Sequence, residues 1–152
     1  MRSSPPPSGA IGWGGRAPDR VREGELAGPL AGCHVGSRLM CLDVIDSTNT
    51  EAKRQAMAGA PDGLVILSEE QTGGRGRLGR TFVSPAETGV YQTILLHPTL
   101  PISHIQLATI AAAVAVAEAV TQTAGFSPEI KWVNDVLYEG RKLSGILTEA
   151  TI

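Results

Sequence analysis

The rhythm of apolar and polar positions changes several times along the chain. Leu39–Ile45 is dominated by aliphatic residues and predicts a β-strand. Asp46-Ser47-Thr48-Asn49 follows, a cluster of helix N-cap residues. Thr48 and Glu51 have the spacing of a capping box, which predicts a helix to about Ala58, stopped by Gly59 and Pro61. Leu64–Leu67 reads as a short buried strand, Phe82-Val83 as the start of another, and Tyr91–Leu96 as a central strand ended by Pro98. Ser103-His104-Ile105-Gln106 has the form of a second capping box, opening a helix to about Thr123 that ends at Gly125. Eight alanines between Ala108 and Ala124 suit a buried helix lying close against a sheet. Ile130–Val133 is a further strand. Val136–Tyr138 and Lys142–Leu147 flank Glu139-Gly140-Arg141, a hairpin turn with glycine supplying a positive φ. This order predicts an α+β fold with a mixed or antiparallel sheet packed on helices.

Residues 1–32 break the pattern. They hold seven glycines, five prolines and four arginines, and few aliphatic residues to bury. The segment is expected to be a disordered leader, with residues 33–152 forming one domain. The chain has 152 residues, 42% of them apolar and 18% charged, which is ordinary for a globular domain. A formal net charge of −2 argues against bulk nucleic-acid binding, and no helix-turn-helix pattern is present, so no DNA partner is expected. Cys33 and Cys41 make neither a metal spacing nor a disulfide framework and fit a reduced cytoplasm. Leu107–Val120 is apolar but falls short of the roughly 20 residues that a membrane span requires, so no membrane partner is expected.

Against this slightly acidic background, Gln71–Arg80 reads Q-T-G-G-R-G-R-L-G-R, with four glycines, three arginines and no acid. Glycine lets a ligand approach the backbone, and the arginine fork matches carboxylate and phosphate. The run lacks the G-K-[ST] ending of a Walker loop and the repeats and aromatics of an RNA-binding tract. Two other polar motifs stand out. Ser47-Thr48-Asn49 presents hydroxyl, amide and helix N–H groups, although simple capping also accounts for it. Lys131-Trp132-Val133-Asn134-Asp135 leads into Arg141-Lys142-Leu143-Ser144-Gly145, where a lysine shortly before a glycine can aim its ammonium over a flat ligand.

In order, D-S-T-N, Q-T-G-G-R-G-R-L-G-R, S-P, K-W-V-N-D and R-K-L-S-G-I-L-T-E closely resemble the catalytic domain of biotin protein ligases, the biotin–[acetyl-CoA-carboxylase] ligases, over roughly Leu39 to Glu149. The resemblance implies an enzyme that joins biotin to ATP, with Mg²⁺, to give biotinyl-5′-AMP and then biotinylates a lysine of the biotin carboxyl carrier protein. It implies that Ser47, Thr48, Asn49 and Gln71 bind the biotin head. Arg75, Gly76 and Arg77 match the loop for carboxylate and phosphate, and Lys142 matches the lysine bridging the two. Tyr91, Trp132 and Gly145 match pocket walls. Arg80, Phe82, Asn134 and Asp135 match the ATP and metal side, with no ligand set for the metal named. Val133 stands where the family usually has proline, and Phe82 where many members have tryptophan. A later G-I-G-x-N-like segment and a small C-terminal barrel are not seen, so the domain is expected to be incomplete at its C-terminus. Alternatives are a fragment that binds biotin without full ligase activity and a related lipoate or octanoate ligase. Family members also pair through sheet edges, so a homodimer is an open expectation.

Overall fold

The computed structural model describes residues 20–150. Its elements are α1 (Glu23–Ala27), β1 (Arg38–Ile45), α2 (Thr48–Met57), β2 (Leu64–Gln71), β3 (Tyr91–Ile94), α3 (Gln106–Ala124), β4 (Glu129–Lys131), β5 (Asp135–Tyr138) and β6 (Arg141–Gly145). Short 3₁₀ turns occupy Arg77–Gly79 and Ile102–His104. The expected mixed sheet is divided into two three-stranded sheets, β1-β2-β3 and β4-β5-β6.

The first sheet grows from a β-α-β unit. β1 and β2 pair in parallel from Arg38↔Leu64 to Ile45↔Gln71, with α2 as the crossover. β3 adds antiparallel to β2 through Val65↔Ile94 and Ser68↔Tyr91. The centre of this sheet is therefore β2, and β3, expected to be central, lies at its edge. β2 carries the longest aliphatic run and is buried from Leu64 to Ser68. Thr48 and Ala52, one helical turn apart, are the buried face of α2. Ala52, Leu64 and Ile66 form the core, flanked by Met40, Leu42, Ala60 and Leu95.

The second sheet is an antiparallel hairpin, β5–β6, with β4 on its free side. Glu139 (φ 49°) and Gly140 (φ 72°) both take positive φ at the turn, so the sharp reversal expected there needs two such residues rather than glycine alone. α3 ends at Gly125 in the left-handed conformation, as expected, and Phe126 then stacks on Tyr138 with ring centroids 4.0 Å apart.

Several local expectations are corrected. Ser47 is the N-cap of α2 and makes no side-chain capping bond, and the Glu51 carboxylate accepts instead from Gln55 and Arg54. α3 has Ile105 at its N-cap without a capping bond, and Ser103 contacts its neighbour His104. Phe82-Val83 starts no strand, being held only between isolated bridges at Arg75↔Thr81 and Gln71↔Ser84. α3 rests on β4 and β5, but Ala113 alone is buried within it. Its apolar residues run around the whole helix, and one small sheet covers one side. By length and composition α3 also meets the threshold for a membrane span, interrupted by Glu118. Residues 1–19 of the expected leader lie outside the described residues. Within the remainder, Glu23 of α1 accepts from the Cys41 backbone N–H, and Arg20, ahead of α1, pairs with Asp43.

Candidate functional site

The turn from β1 into α2 creates a polar cradle. Ser47 and Thr48 are 3% and 4% exposed. The Thr48 backbone N–H and hydroxyl both donate to Gln71 Oε1, at 2.9 and 3.1 Å. Gln71 Nε2 donates onward to Ser84 Oγ at 3.0 Å, which faces the Phe82 carbonyl at 3.3 Å. Thr93 Oγ1 lies 2.8 Å from Thr48 Oγ1 and 2.5 Å from Asn49 Oδ1, and its single proton serves one of them at a time. Thr93 is not singled out by the sequence, and Ser84 enters there only as part of the S-P motif. Thr93 was within reach of the strand pattern: it follows Tyr91 by two residues on β3 and so shares its face. Tyr91 is half-buried and donates its hydroxyl to the Pro85 carbonyl at 3.0 Å.

The Gly/Arg loop leaves this cradle directly. Thr72 N–H donates to the Ile45 carbonyl at 2.8 Å and Gly73 N–H to the Asp46 carbonyl at 2.7 Å. Gly74 is required by space: a Cβ there would lie 2.3 Å from the Phe82 carbonyl oxygen. The loop closes on itself through Phe82 N–H to Gly74 O at 2.9 Å and Gly76 N–H to Arg80 O at 2.7 Å. Its tip turns at Leu78 (φ 59°) and Gly79 (φ 73°). The three arginines diverge. Arg75 approaches Glu149 at 3.7 Å, Arg77 donates to Asn134 Oδ1 at 2.8 Å, and Arg80 is exposed with no ion pair among the described residues.

The second sheet supplies a cation by way of a β-bulge. Tyr138 pairs with Arg141 and Leu137 with Lys142, but Val136 pairs with Ser144 and Asp135 with Gly145. Leu143 is the extra residue. Without it Lys142 and Gly145, three apart, would face opposite sides of the sheet. With it Asp135, Lys142 and Gly145 share one face. The Lys142 ammonium reaches back over Gly145 to Asp135 Oδ1 at 2.8 Å. Asn134 Nδ2 donates to the same Oδ1 at 3.0 Å. A continuous polar chain thus runs Arg77–Asn134–Asp135–Lys142.

Glu149 ties the two halves together. Burial pushes its carboxyl up, but hydrogen bonds from Asn49 and Lys53, with the charges of Lys53 and Arg75, hold it below the ordinary carboxylate range. Trp132, expected as a pocket wall, is 74% exposed, and Phe82, expected on the ATP side, is 41% exposed; neither joins the polar chain. The Trp132–Val133 peptide is cis. A cavity of about 630 Å³ lies away from these residues, between α1 and β1, beside Leu30, Cys33 and His34.

Residues 41–152 match the biotin/lipoate A/B protein ligase family. The chain belongs to this family. It is 37% identical over 134 residues to the bifunctional ligase/repressor BirA of Bacillus subtilis, covering 88% of this chain and 41% of that protein. It is 36% identical over 143 residues to the biotin–[acetyl-CoA-carboxylase] ligase of Mycobacterium tuberculosis, covering 86% of this chain and 53% of that one. Among solved structures it resembles the biotin protein ligase from Aquifex aeolicus in complex with biotin and ATP, with a TM-score of 0.65 and 32% identity over 76% of this chain and 47% of that one. The chain therefore spans about half, or less, of the length of these family relatives. The expected α+β ligase-type fold is the fold of this structural neighbour.

Proposed function

We propose that this chain carries the adenylating site of a biotin–[acetyl-CoA-carboxylase] ligase. The observation that supports this best is the placement of one glycine-rich loop between two polar groups. Arg75 reaches toward the cradle through Glu149, and Arg77 reaches the Lys142 hairpin through Asn134. A ureido head presents N–H donors and a carbonyl. The Ser47 hydroxyl, which has no hydrogen bond among the described residues, together with Thr48, Asn49 and Gln71 supplies complementary groups at a buried helix start. Tyr91 on β3 lies beside the cradle as a wall for the ring and tail. Trp132 and Gly145 are proposed as further wall positions.

The biotin carboxylate then projects toward Arg75, Gly76, Arg77 and Lys142. Its attack on the α-phosphorus of ATP forms the acyl–phosphate bond and releases pyrophosphate. Carboxylate and phosphate repel, by about 1 kcal/mol at 4 Å in water and several times more where water is excluded. Fixed cations lower that barrier. Lys142, released from Asp135, is the group that bridges the two anions. Arg80, Phe82 and Asn134 are proposed on the nucleotide side. Mg²⁺ fits the donor set only loosely: no cluster of three or more acidic, His or Cys ligands occurs among the described residues. Mg²⁺ commonly binds through one or two carboxylates and the substrate's phosphates, and Asp135 has Oδ2 to offer because both its partners use Oδ1. When bound, the metal neutralises phosphate charge. In the second step a lysine amine of a biotin carboxyl carrier protein attacks the acyl carbon and AMP leaves.

The test is biotinyl-adenylate formation from biotin, Mg²⁺ and α-labelled ATP, with biotin affinity measured in parallel by calorimetry. Adenylate is expected, and Lys142→Ala is expected to remove it while leaving most of the biotin affinity. Biotin binding without adenylate would reduce the chain to a binding module, and equal loss of both in Lys142→Ala would sink the bridging role.

A further inference from the structure

Glu149 lies in the segment after β6, and three side chains from α2 and the Gly/Arg loop converge on it. Its Oε2 accepts from Asn49 Nδ2 at 3.0 Å, and its Oε1 accepts from Lys53 Nζ at 3.1 Å. The Arg75 guanidinium lies 3.7 Å from the same Oε1. The approach to Glu149 is pinned along its length. Ile146 N–H donates to the Asn134 carbonyl at 2.8 Å, the Leu147 carbonyl faces Asn49 Nδ2 at 3.5 Å, and the Thr148 and Thr109 hydroxyls meet at 2.7 Å. The carboxylate, whose side chain is 22% exposed, is thus delivered to a fixed place.

That place has a chemical consequence for Asn49. The two ends of a carboxamide are nearly identical in shape and opposite in hydrogen-bonding character. An ionised carboxylate only accepts, so only the Nδ2 end of Asn49 can face it. Oδ1 must then point the other way, onto Thr93. The same carboxylate offsets Lys53 and stands within reach of Arg75, at a distance long enough for the guanidinium to exchange one carboxylate for another. We infer that Glu149 is a positioning residue: it fixes which end of the Asn49 amide faces the biotin cradle and parks Arg75 beside that cradle until a ligand carboxylate takes it over. The inference rests on the proposal that Asn49 and Arg75 contact biotin.

Two variants of the full chain and one titration test it. Glu149→Gln keeps the shape but offers both donor and acceptor, so the orientation of Asn49 is no longer dictated. Lys53→Met removes an ion pair of Glu149 without touching the Asn49 bond. Biotin affinity, read by calorimetry, is expected to fall about tenfold in Glu149→Gln, the scale of one charge-assisted hydrogen bond, and to change little in Lys53→Met. In wild-type protein with isotope-labelled amides, the Asn49 side-chain signals are expected to shift as acid protonates Glu149, with a midpoint below the ordinary carboxylate range. This arm needs no substitution. Equal biotin affinity in wild type and Glu149→Gln overturns the inference and leaves the proposed function standing. No biotin binding by wild type overturns both. An Asn49 signal blind to acid overturns the contact itself, whatever the affinities.

Discussion

Gly145→Ala puts a methyl group where the Lys142 ammonium now passes. A Cβ at Gly145 falls 2.8 Å from both Cε and Nζ of Lys142. Non-bonded carbon contacts settle at about 3.5–4.0 Å, so the lysine tip must shift by about 1 Å. The backbone gives no further obstacle, because Gly145 is not among the positive-φ glycines. The shift breaks the 2.8 Å pair with Asp135, whose two side chains are 45% and 25% exposed. A pair that exposed contributes at most about 1 kcal/mol, which corresponds to a Tm change of about 2–4 °C for a chain of this size. Catalysis is more sensitive to position than stability is. If Lys142 bridges the two anions as proposed, moving its ammonium by about 1 Å is expected to slow adenylation on the order of 10²-fold. Pyrophosphate release in single turnover, beside a thermal melt, measures both. Unchanged adenylation would refute the placement of the ammonium over Gly145. A melt lowered far beyond the ion-pair scale would mean that the hairpin itself had been disrupted.

Acid should destabilise the fold in a defined window. A hydrogen bond from Arg54 lowers the Asp46 carboxyl, and hydrogen bonds from Gln55 and Arg54 lower Glu51. The His97 backbone N–H, with His34, lowers Asp62. Folded values below the ordinary 3.8 and 4.5 mean stability is fully present above those values and is lost as pH falls through the lowered ones. Tm should therefore be flat above about pH 5 and drop below it, and Arg54→Met should flatten the acid limb; an identical limb in the variant would contradict the assignment. In the core, Ile66 is fully buried on the central strand. Ile66→Ala should cost about 2–5 kcal/mol in urea unfolding, and a loss below about 1 kcal/mol would place the core elsewhere.

What was legible in the sequence was mostly local. Gly125 stops α3, and Glu139-Gly140 turns the last hairpin, because these residues meet conformational demands within their own few positions. The motifs around Asn49, Gln71, Arg75 and Lys142 stand out as candidate chemistry by residue type and short spacing alone. What failed was decided by partners far along the chain. Thr48–Glu51 has capping-box spacing, but Arg54 and Gln55 claim the Glu51 carboxylate. The bulge at Leu143 arises from register between two strands and has no signature in R-K-L-S-G alone, yet it decides which way Lys142 points. Alanine content marked α3 for burial, but the area available to cover it depends on a sheet whose width the helix does not encode. Glu149 appeared as the last letter of a motif, and its partner Asn49 lies 100 residues earlier.

The two sheets share no strand. Between them run Arg77 to Asn134, Asn49 and Lys53 to Glu149, and the loose approach of Arg75, all partly exposed and most of them charged. The charged members of this seam, Lys53 and Arg75 against Glu149, respond to ionic strength in a way that apolar packing within a sheet does not, although contact pairs this close are only partly screened. The junction is therefore a joint with its own chemical sensitivity. Added electrolyte is expected to weaken the seam between cradle and lysine hairpin more than either sheet, so ionic strength would act on how closely the two face each other separately from how firmly each is folded.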